Sequence, residues 1–397
     1  IDAVFSRGST LYGKSSSRVR STATRTSADT PARQVGTRHR KRFKLDGSPR
    51  KSTTEQPCAK SVMLSTDQSF PRLSEDTLSM YDKAVDLLRN NPPEQRLDIH
   101  LPYAEYLKLD ECWSKIKAET KISEDQRYPY LAYDSYAEVV TVVTAPNGIH
   151  ENAVLMINSG IISFIYDYLA IHSPDSVYNI TAEGAETIKQ FYGSYINSTK
   201  QADGLFVYRT VTGRKQTVAI EVGFSEGYSA LIRNKNLWIQ GGRVNACVLV
   251  IIKESPRFKN PAESYEDIED VTREMERMGR HVDETMRRHR SLDCYDPIKY
   301  RDHTWVGKLK EVSIEVWRRG DTTTRPIPLI KNGRTCDRLP TAILRVSDLF
   351  PEEIWEAANI PESDIPFAAA LIVQTLMTSM GNAALSRFFD FVSRRSE

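Results

Sequence analysis

One carboxylate inside an apolar run constrains this chain more than any other feature. Glu221 lies within Val218-Ala-Ile-Glu-Val-Gly-Phe224, and such a run is typical of a strand that is buried on both faces. An unpaired carboxylate in that position would cost several kcal/mol, so it needs a partner, and a metal ion is a common one. A second carboxylate, Asp203, opens the preceding predicted strand at 203–209. Acids on neighbouring strands can bind a divalent cation for phosphodiester hydrolysis.

The segment after Glu221 predicts a helix at 226–240. Lys235 falls at the centre of its apolar stripe, so the pattern directs a lysine toward the sheet that carries Asp203 and Glu221. There it can orient a water molecule or stabilise the charge of a transition state. The alternative is a structural ion pair between Lys235 and Glu221. The apolar residues of the stripe are Tyr228, Leu231, Ile232, Trp238 and Ile239.

The stretch from Asp203 to Lys235, with the apolar strand Asn245–Lys253 after it, resembles the core of the PD-(D/E)XK nuclease-like superfamily. Glu221-Val-Gly-Phe-Ser is similar to the E-V-G-x-S strand of a family of fungal proteins of unknown role, and a bacterial restriction-endonuclease-like family shares this layout. Upstream, the strands at 130–134 and 139–146 and the pair His150-Glu151 resemble the family's first strand and the P-x-x-x-H-E start of its first helix. The resemblance covers residues 125–255, with weaker similarity at 305–350.

This resemblance implies an α/β fold, with a mixed central sheet flanked by helices in a restriction-endonuclease-like core. It also implies a metal-dependent nuclease that acts on DNA rather than RNA. In that interpretation Asp203 and Glu221, with Glu151 as a third acid, hold Mg²⁺ or Mn²⁺, and Lys235 acts on the attacking water. The alternative for Glu151 is an ordinary acid in the first turn of a helix at 151–170, where the helix dipole favours it.

The chain departs from the superfamily pattern at positions that matter for catalysis. Ala202-Asp203 stands where the superfamily has Pro-Asp, and this change keeps the carboxylate. Gly223 occupies the place of the usual lysine, and Asn234 stands where the fungal relatives carry an acid. A fold tolerates such losses more easily than an activity does. The alternative function is therefore a catalytically degenerate nuclease fold that acts as a nucleic-acid-binding or protein-interaction module.

The N-terminal segment is strongly basic. Residues 1–60 contain 14 Lys or Arg and four Asp or Glu, a net charge of +10, whereas the remaining 337 residues have a net charge of −8. With few large apolar residues the segment is expected to be disordered. Its basic cluster resembles a short nuclear-import signal. This resemblance favours the nucleus over the cytoplasm as the location and an import receptor as a partner. The alternative is a basic arm that tethers DNA or RNA. The cluster consists of Arg38, Arg40, Lys41, Arg42 and Lys44.

Composition divides the chain into four parts. The first two are a disordered basic tail at 1–68 and a nuclease-like core with a helical N-terminal extension at 69–255. The last two are a charged and exposed helical arm at 256–300, and C-terminal strands with a final helix at 301–397. The five scattered cysteines favour a reducing compartment, and the first residue, Ile1, suggests an incomplete or processed sequence. No run is expected to span a membrane, since the best candidate, 367–380, is too short.

Overall fold

Helices and strands alternate through most of the chain. The computed structural model describes residues 75–122, 126–184, 186–211, 213–224, 226–261 and 270–393. The basic cluster at 38–44 lies outside these residues. The described helices are α1 (Glu75–Asn90), α2 (Tyr103–Thr120), α3 (Gly148–His172), α4 (Tyr228–Asn236), α5 (Val271–Leu292), α6 (Glu352–Ala358) and α7 (Ala369–Ser393).

The strands are distributed along the whole described chain. They are β1 (Arg96–His100), β2 (Tyr130–Asp134), β3 (Val139–Val143), β4 (Ile180–Glu183), β5 (Thr187–Ile188), β6 (Lys200–Gln201), β7 (Gly204–Thr210), β8 (Gly213–Phe224), β9 (Ala246–Ser255), β10 (Ile298–Tyr300), β11 (His303–Val306), β12 (Lys308–Arg318), β13 (Ile327–Lys331), β14 (Arg334–Thr335), β15 (Ala342–Arg345) and β16 (Asp364–Pro366).

A seven-stranded mixed sheet forms the centre of the fold, in the order β14-β13-β12-β9-β8-β7-β4. β8 and β9 pair in parallel because α4 connects them as a crossover, and β7 and β12 flank this pair in antiparallel orientation. The α/β class with a mixed central sheet is therefore confirmed. The expected strands at 203–209, 216–224 and 246–253 correspond to β7, β8 and β9.

Helices cover both faces of this sheet. The alternate residues Val218, Ile220 and Val222 of β8 belong to a large core formed with α3, α5 and α7. Residues that point to the opposite face, such as Ala219, pack in a smaller core with Leu231 and the segment after α4. From Val218 to Val222 both faces of β8 are buried, and Glu221 is the exception among apolar residues there.

The N-terminal part contains helices, as expected of a helical extension, and also a small sheet of its own. Strand β1 lies between α1 and α2 and pairs with β3, which also pairs with β2. Helices α1 and α2 pack on this three-stranded sheet through a separate apolar cluster that includes Leu88, Leu109 and Trp113. The alternation in Arg96-Leu-Asp-Ile-His100 is the strand signal that the helical interpretation overlooked.

The charged segment is not an exposed arm over its helical part. One face of α5 carries Met278, Val282 and Met286, which are at most 5% exposed and belong to the main core. These residues repeat every four positions, so the amphipathic pattern is present in the sequence despite the many charged residues.

Strand β12 is buried on both faces, because Ser313 and Glu315 are as buried as the apolar residues that alternate with them.

Helix α3 is long and apolar enough to cross a membrane by length and composition alone, contrary to the expectation that no run is. Its inner face lies in the main core, as the sequence predicts, with Val154, Ile157, Ile161 and Ile165 at most 5% exposed. The helix thus covers the central sheet and carries His150 and Glu151 in its first turn.

Candidate functional site

Glu221 is buried among hydrogen-bond donors. Its side chain is 3% exposed, and its Oε2 lies 3.0 Å from the ammonium of Lys200. The indole of Trp238 donates to Oε1 at 2.7 Å, and the amide of Asn234 donates to Oε2 at 2.9 Å. An ammonium, an amide and an indole supply N–H groups that suit an ionised carboxylate. The partner that the sequence required for Glu221 is therefore a set of protein donors.

Lys200 is the lysine of this site, and sequence reasoning missed it. It lies in the short strand β6, where the preceding residue Thr199 exchanges backbone hydrogen bonds with Tyr133 of β2. This long-range pairing draws the segment into the protein and leaves the Lys200 side chain 4% exposed. The polar sequence Asn197-Ser-Thr-Lys-Gln201 has no periodicity that indicates burial, so no local signal identifies Lys200.

Asp203 lies at the entry to β7 and is also saturated with donors. Its Oδ2 accepts a hydrogen bond from the backbone N–H of Val222 at 2.8 Å and lies 3.2 Å from Nε2 of His150. Its Oδ1 accepts from the guanidinium of Arg127 at 3.0 Å. Since Val222 follows Glu221 directly, the two acids lie on adjacent strands, as the sequence predicts.

Glu151 joins the same cluster from the first turn of α3. Asn147 caps this helix by accepting from the backbone N–H groups of Ile149 and His150, which fixes the orientation of the first turn. The Glu151 carboxylate accepts from the hydroxyl of Tyr128 at 3.1 Å and lies 3.4 Å from Nδ1 of His150. At 43% exposure its side chain is the solvent-facing acid of the cluster.

The electrostatics of the cluster follow from burial and close opposite charges. Burial lowers the pKa of His150, but the carboxylate of Asp203 outweighs it and raises this pKa to about 9. Burial raises the pKa of Asp203, yet His150 and Arg127 hold it well below its usual range. Burial likewise lowers the pKa of Lys200, while Glu221 raises it above its ordinary value. These shifts favour the charged forms of His150, Asp203 and Lys200, whereas burial raises the pKa of Glu221 against the opposing effect of Lys200.

A partly buried ion pair extends the network toward β1. Arg96 contacts Glu226 at 2.7 Å, in the loop between β8 and α4. Burial raises the pKa of Glu226, and Arg96 opposes this effect. Perturbed charges of this kind occur at functional sites and also in structural ion-pair networks.

Lys235, the lysine predicted for the site, contacts other residues. Its ammonium lies 4.4 Å from the ring centroid of Trp317 on β12 and donates to Asn236. Asn234 and Trp238, four residues apart on one helical side, face Glu221 instead. Lys235 is one position further and is rotated by about 100° away from them. The expected contact between Lys235 and Glu221 is therefore wrong.

Replacing Lys235 by alanine is expected to reduce the free energy of unfolding by only about 0.5–1 kcal/mol, the value of a partly exposed cation–π contact. Lys200→Ala should cost several-fold more, because it leaves Glu221 buried without its cation. Urea unfolding of the two variants tests the assignment. Equal losses, or a larger loss for Lys235→Ala, would contradict it.

Gly223, at the position where the resemblance places a lysine, lies against the side chain of Leu231 on α4. A side chain on this residue would meet Cδ1 of Leu231 at 2.5 Å, because α4 packs directly against the backbone of β8. Van der Waals contacts between carbon atoms need about 3.5 Å or more. The space through which a lysine at 223 would extend is therefore filled by an apolar side chain.

The cluster does not fit a divalent cation. Both oxygens of Asp203 and both of Glu221 already face N–H donors. Three cations, Arg127, His150 and Lys200, balance the carboxylates of Glu151, Asp203 and Glu221, so a metal ion would add uncompensated positive charge. In the described part of the chain, no group of three or more His, Cys, Asp or Glu side chains is arranged to hold a metal ion.

The site thus combines two strand carboxylates, an acid and a histidine from a helix start, and a lysine and an arginine from long-range segments. Of the residues predicted for it, the structure brings Asp203, Glu221 and Glu151 into one network and leaves Lys235 outside. Arg127, His150 and Lys200 are the cations that complete it. No known protein family, curated protein or solved structure matches this chain.

Proposed function

We propose that this protein is a catalytically degenerate nuclease-like fold that acts as a binding module, with nucleic acid as its partner. The observation that carries the proposal is the internal neutralisation of the carboxylate site. Lys200 contacts Glu221, while Arg127 and His150 contact Asp203, at distances of 3.0–3.2 Å. Protein cations thus occupy the positions around these acids that a metal ion would need.

The order of elements supports the restriction-endonuclease-like core in this proposal. A helix (α3) precedes three antiparallel strands (β4, β7 and β8), and a second helix (α4) leads into a parallel strand (β9). Both predicted acids lie where β7 and β8 meet, beside the start of α3. This order of elements and the location of the acids support the proposed core, whereas Gly223 and the donor set around the acids depart from the superfamily pattern.

In this proposal the internal ion pairs of the site have a structural role. They hold the start of α3, the entry to β7 and the centre of β8 against each other through Asp203 and Glu221. A fold held in this way presents a rigid surface without needing a metal ion. The basic segment, including the cluster at 38–44, supplies a sequence-independent attraction to phosphates. Retention in the nucleus through the same cluster is part of the proposal.

Direct tests of metal dependence distinguish a binding module from a metal-dependent nuclease. We expect no saturable binding of Mg²⁺ or Mn²⁺ by titration calorimetry, and no metal-dependent cleavage of plasmid, linear or single-stranded DNA, because the acids lack free coordination sites. Asp203→Asn should leave both results unchanged, as should Asp167→Asn, a control at an exposed acid of α3. Cleavage that Asp203→Asn abolishes and Asp167→Asn preserves would overturn the proposal.

A metal-dependent nuclease is the second candidate, and one observation favours it. Lys200 completes a set of Asp, Glu and Lys side chains in one buried cluster, the residue types that the resemblance associates with phosphodiester hydrolysis. This function requires that a bound substrate withdraw Arg127 or His150 from Asp203. Cleavage lost on both Glu221→Ala and Lys200→Ala, with the variants still folded, would establish the nuclease.

A further inference from the structure

We propose that an exposed surface beside the acid cluster binds unpaired nucleobases of single-stranded nucleic acid. This tyrosine–arginine platform consists of the exposed side chains of Tyr136, Tyr192, Ile196 and Arg243, and the ring of Tyr195, which is buried, lies beside Tyr136. The inference rests on the nucleic-acid-binding role proposed above and adds the place and the form of the ligand. It does not depend on whether the acid cluster is catalytically active.

Large apolar side chains are concentrated and exposed on the platform. Tyr136 is 67% exposed, Ile196 65% and Tyr192 47%. The rings of Tyr136 and Tyr195 lie 5.3 Å apart between centroids, and the guanidinium of Arg243 lies 4.2 Å from the ring centroid of Tyr192. Aromatic rings and arginine planes are the groups on which proteins stack unpaired bases.

The backbone holds these side chains in place through several separate segments. Ser135 donates to the carbonyl oxygen of Ser194 at 3.0 Å, which joins the turn of Tyr136 to the segment 192–196. The backbone N–H of Tyr192 donates to the carbonyl oxygen of Gly241 at 2.9 Å. A side chain at Gly241 would meet Cβ of Tyr195 at 2.6 Å, so only glycine permits this approach.

Arg243 carries an unfavourable backbone conformation that positions it over Tyr192. Its φ of +58° lies in the left-handed region, which a non-glycine residue adopts at a cost of about 1 kcal/mol or more. The carbonyl of the same residue accepts a hydrogen bond from Arg319, which ties the turn to the end of β12. Such strain persists where surrounding contacts fix it, and it is concentrated at ligand-binding positions.

The charge of the platform suits a polyanion. Arg243 is exposed on the platform, and Arg319, which donates to the carbonyl oxygen of Arg243, is exposed beside it. The nearest acid in sequence, Asp134, accepts from the backbone N–H groups of Tyr136 and Ala137 in its own loop. Burial and then the charge of Asp134 raise the pKa of Tyr195, so this one carboxylate lies beside the platform. Positive charge beside exposed aromatic rings matches the phosphates and bases of a single strand.

A single strand fits the platform better than a duplex because of what each ligand exposes. In a duplex the flat faces of the bases are covered by their neighbours, so exposed rings have nothing to stack on except the ends. A single strand offers each base face at little cost. The platform also adjoins the acid cluster along the chain, since Gly241 follows Trp238, the indole donor to Glu221, by one helical turn.

Fluorescence anisotropy with the full chain tests this inference. The probes are a labelled oligothymidine single strand and a labelled duplex of the same length. We expect Tyr192→Ala and Arg243→Ala each to weaken single-strand binding about 5- to 150-fold, the range that corresponds to the loss of one base–aromatic contact. Tyr192→Phe should retain binding, because it keeps the ring. The matched controls are Tyr178→Ala, at a tyrosine that is 83% exposed elsewhere, and Arg338→Ala.

The outcomes separate this inference from the proposed function. Selective loss of single-strand binding in the platform variants supports it, provided that circular dichroism shows them folded. Binding that these variants retain at the level of the controls would overturn the platform and leave the nucleic-acid role intact. A stronger affinity of the wild-type chain for the duplex would also overturn it. A wild-type chain that binds neither probe would overturn both and favour a protein partner.

Discussion

Glu221→Gln is expected to lower the free energy of unfolding by about 3–5 kcal/mol, the cost of removing one partner from a buried ion pair. The substitution preserves the shape of the side chain, and the glutamine carbonyl still accepts from the indole of Trp238. It removes the charge that compensates the ammonium of Lys200, which is 4% exposed and cannot reach water. The loss in the free energy of unfolding is therefore the cost of keeping the Lys200 ammonium buried without an opposite charge.

The double variant Lys200→Met/Glu221→Gln isolates this cause. Methionine has nearly the volume of lysine without its charge, so the double variant should regain about 1–3 kcal/mol relative to Glu221→Gln alone. Urea unfolding curves of the wild type, both single variants and the double variant give the coupling energy directly. Losses that add without recovery would mean that the two side chains do not interact.

An exposed pair of similar geometry provides the control. Lys253 contacts Glu311 at 2.9 Å, close to the 3.0 Å between Lys200 and Glu221, but its side chain is 55% exposed. Lys253→Met should cost at most about 1 kcal/mol, because water solvates the carboxylate that remains. A loss as large as that of Glu221→Gln would show that burial is not the source of the effect.

Local patterns in the sequence predict much of the fold around the site. The apolar runs of β7, β8 and β9 and the periodicity of α3 and α7 are visible without the structure, because each depends on neighbours in the same segment. The burial of Glu221 and its need for a partner also follow from its apolar neighbours. Asp203 and Glu151 come near it because adjacent strands and a helix start meet at one place.

The identity of the partner could not be predicted in the same way. Lys235 was favoured because it lies on a helix whose apolar face is obvious, whereas Lys200 lies in a polar segment without periodicity. What buries Lys200 is the pairing of Thr199 with Tyr133, two residues far apart in sequence. Arg127 reaches Asp203 across a similar separation. Contacts of this kind depend on tertiary structure, which a single local pattern does not encode.

Within α4 the prediction is wrong by one residue around the helix. Lys235 is expected to face Glu221, but Asn234 contacts it. The stripe of apolar residues includes both Lys235 and Trp238, but the chain changes from α-helix to a π-helical turn at Leu237–Gly241. This wider turn alters the direction of side chains on its two sides. Asn234, which the pattern places off the centre of the face, therefore contacts Glu221, and Lys235 reaches Trp317.

We expect the stability of the wild-type chain to fall by about 3 kcal/mol between pH 6.5 and pH 9 through the titration of His150. Its pKa rises from an ordinary value of 6.5 to about 9 in the folded protein, where Asp203 outweighs the effect of burial. The folded state therefore binds this proton more tightly than the unfolded state does. The stabilisation is complete below about pH 6.5 and is lost as the pH rises through 9.

The titration of Asp203 gives the stability contributed by the same ion pair the opposite dependence on pH. Its pKa is lowered in the folded protein, so its contribution is present above the ordinary carboxyl pKa of about 4 and is lost as the pH falls further. The ion pair of His150 and Asp203 thus contributes most between about pH 4 and 6.5. Acid and alkaline conditions weaken it by removing different charges from one interaction.

His150→Gln isolates the alkaline part of this dependence. Glutamine can donate to Asp203 but does not titrate, so urea unfolding at pH 6 and pH 9 should show a much smaller difference for the variant than for the wild type. His100→Gln, at an exposed histidine of β1, should keep the wild-type difference. If His150→Gln retains the full alkaline loss, His150 does not carry its charge in the folded protein. The neutral balance of cations and carboxylates around Asp203, and with it the argument against a metal ion, would then fail.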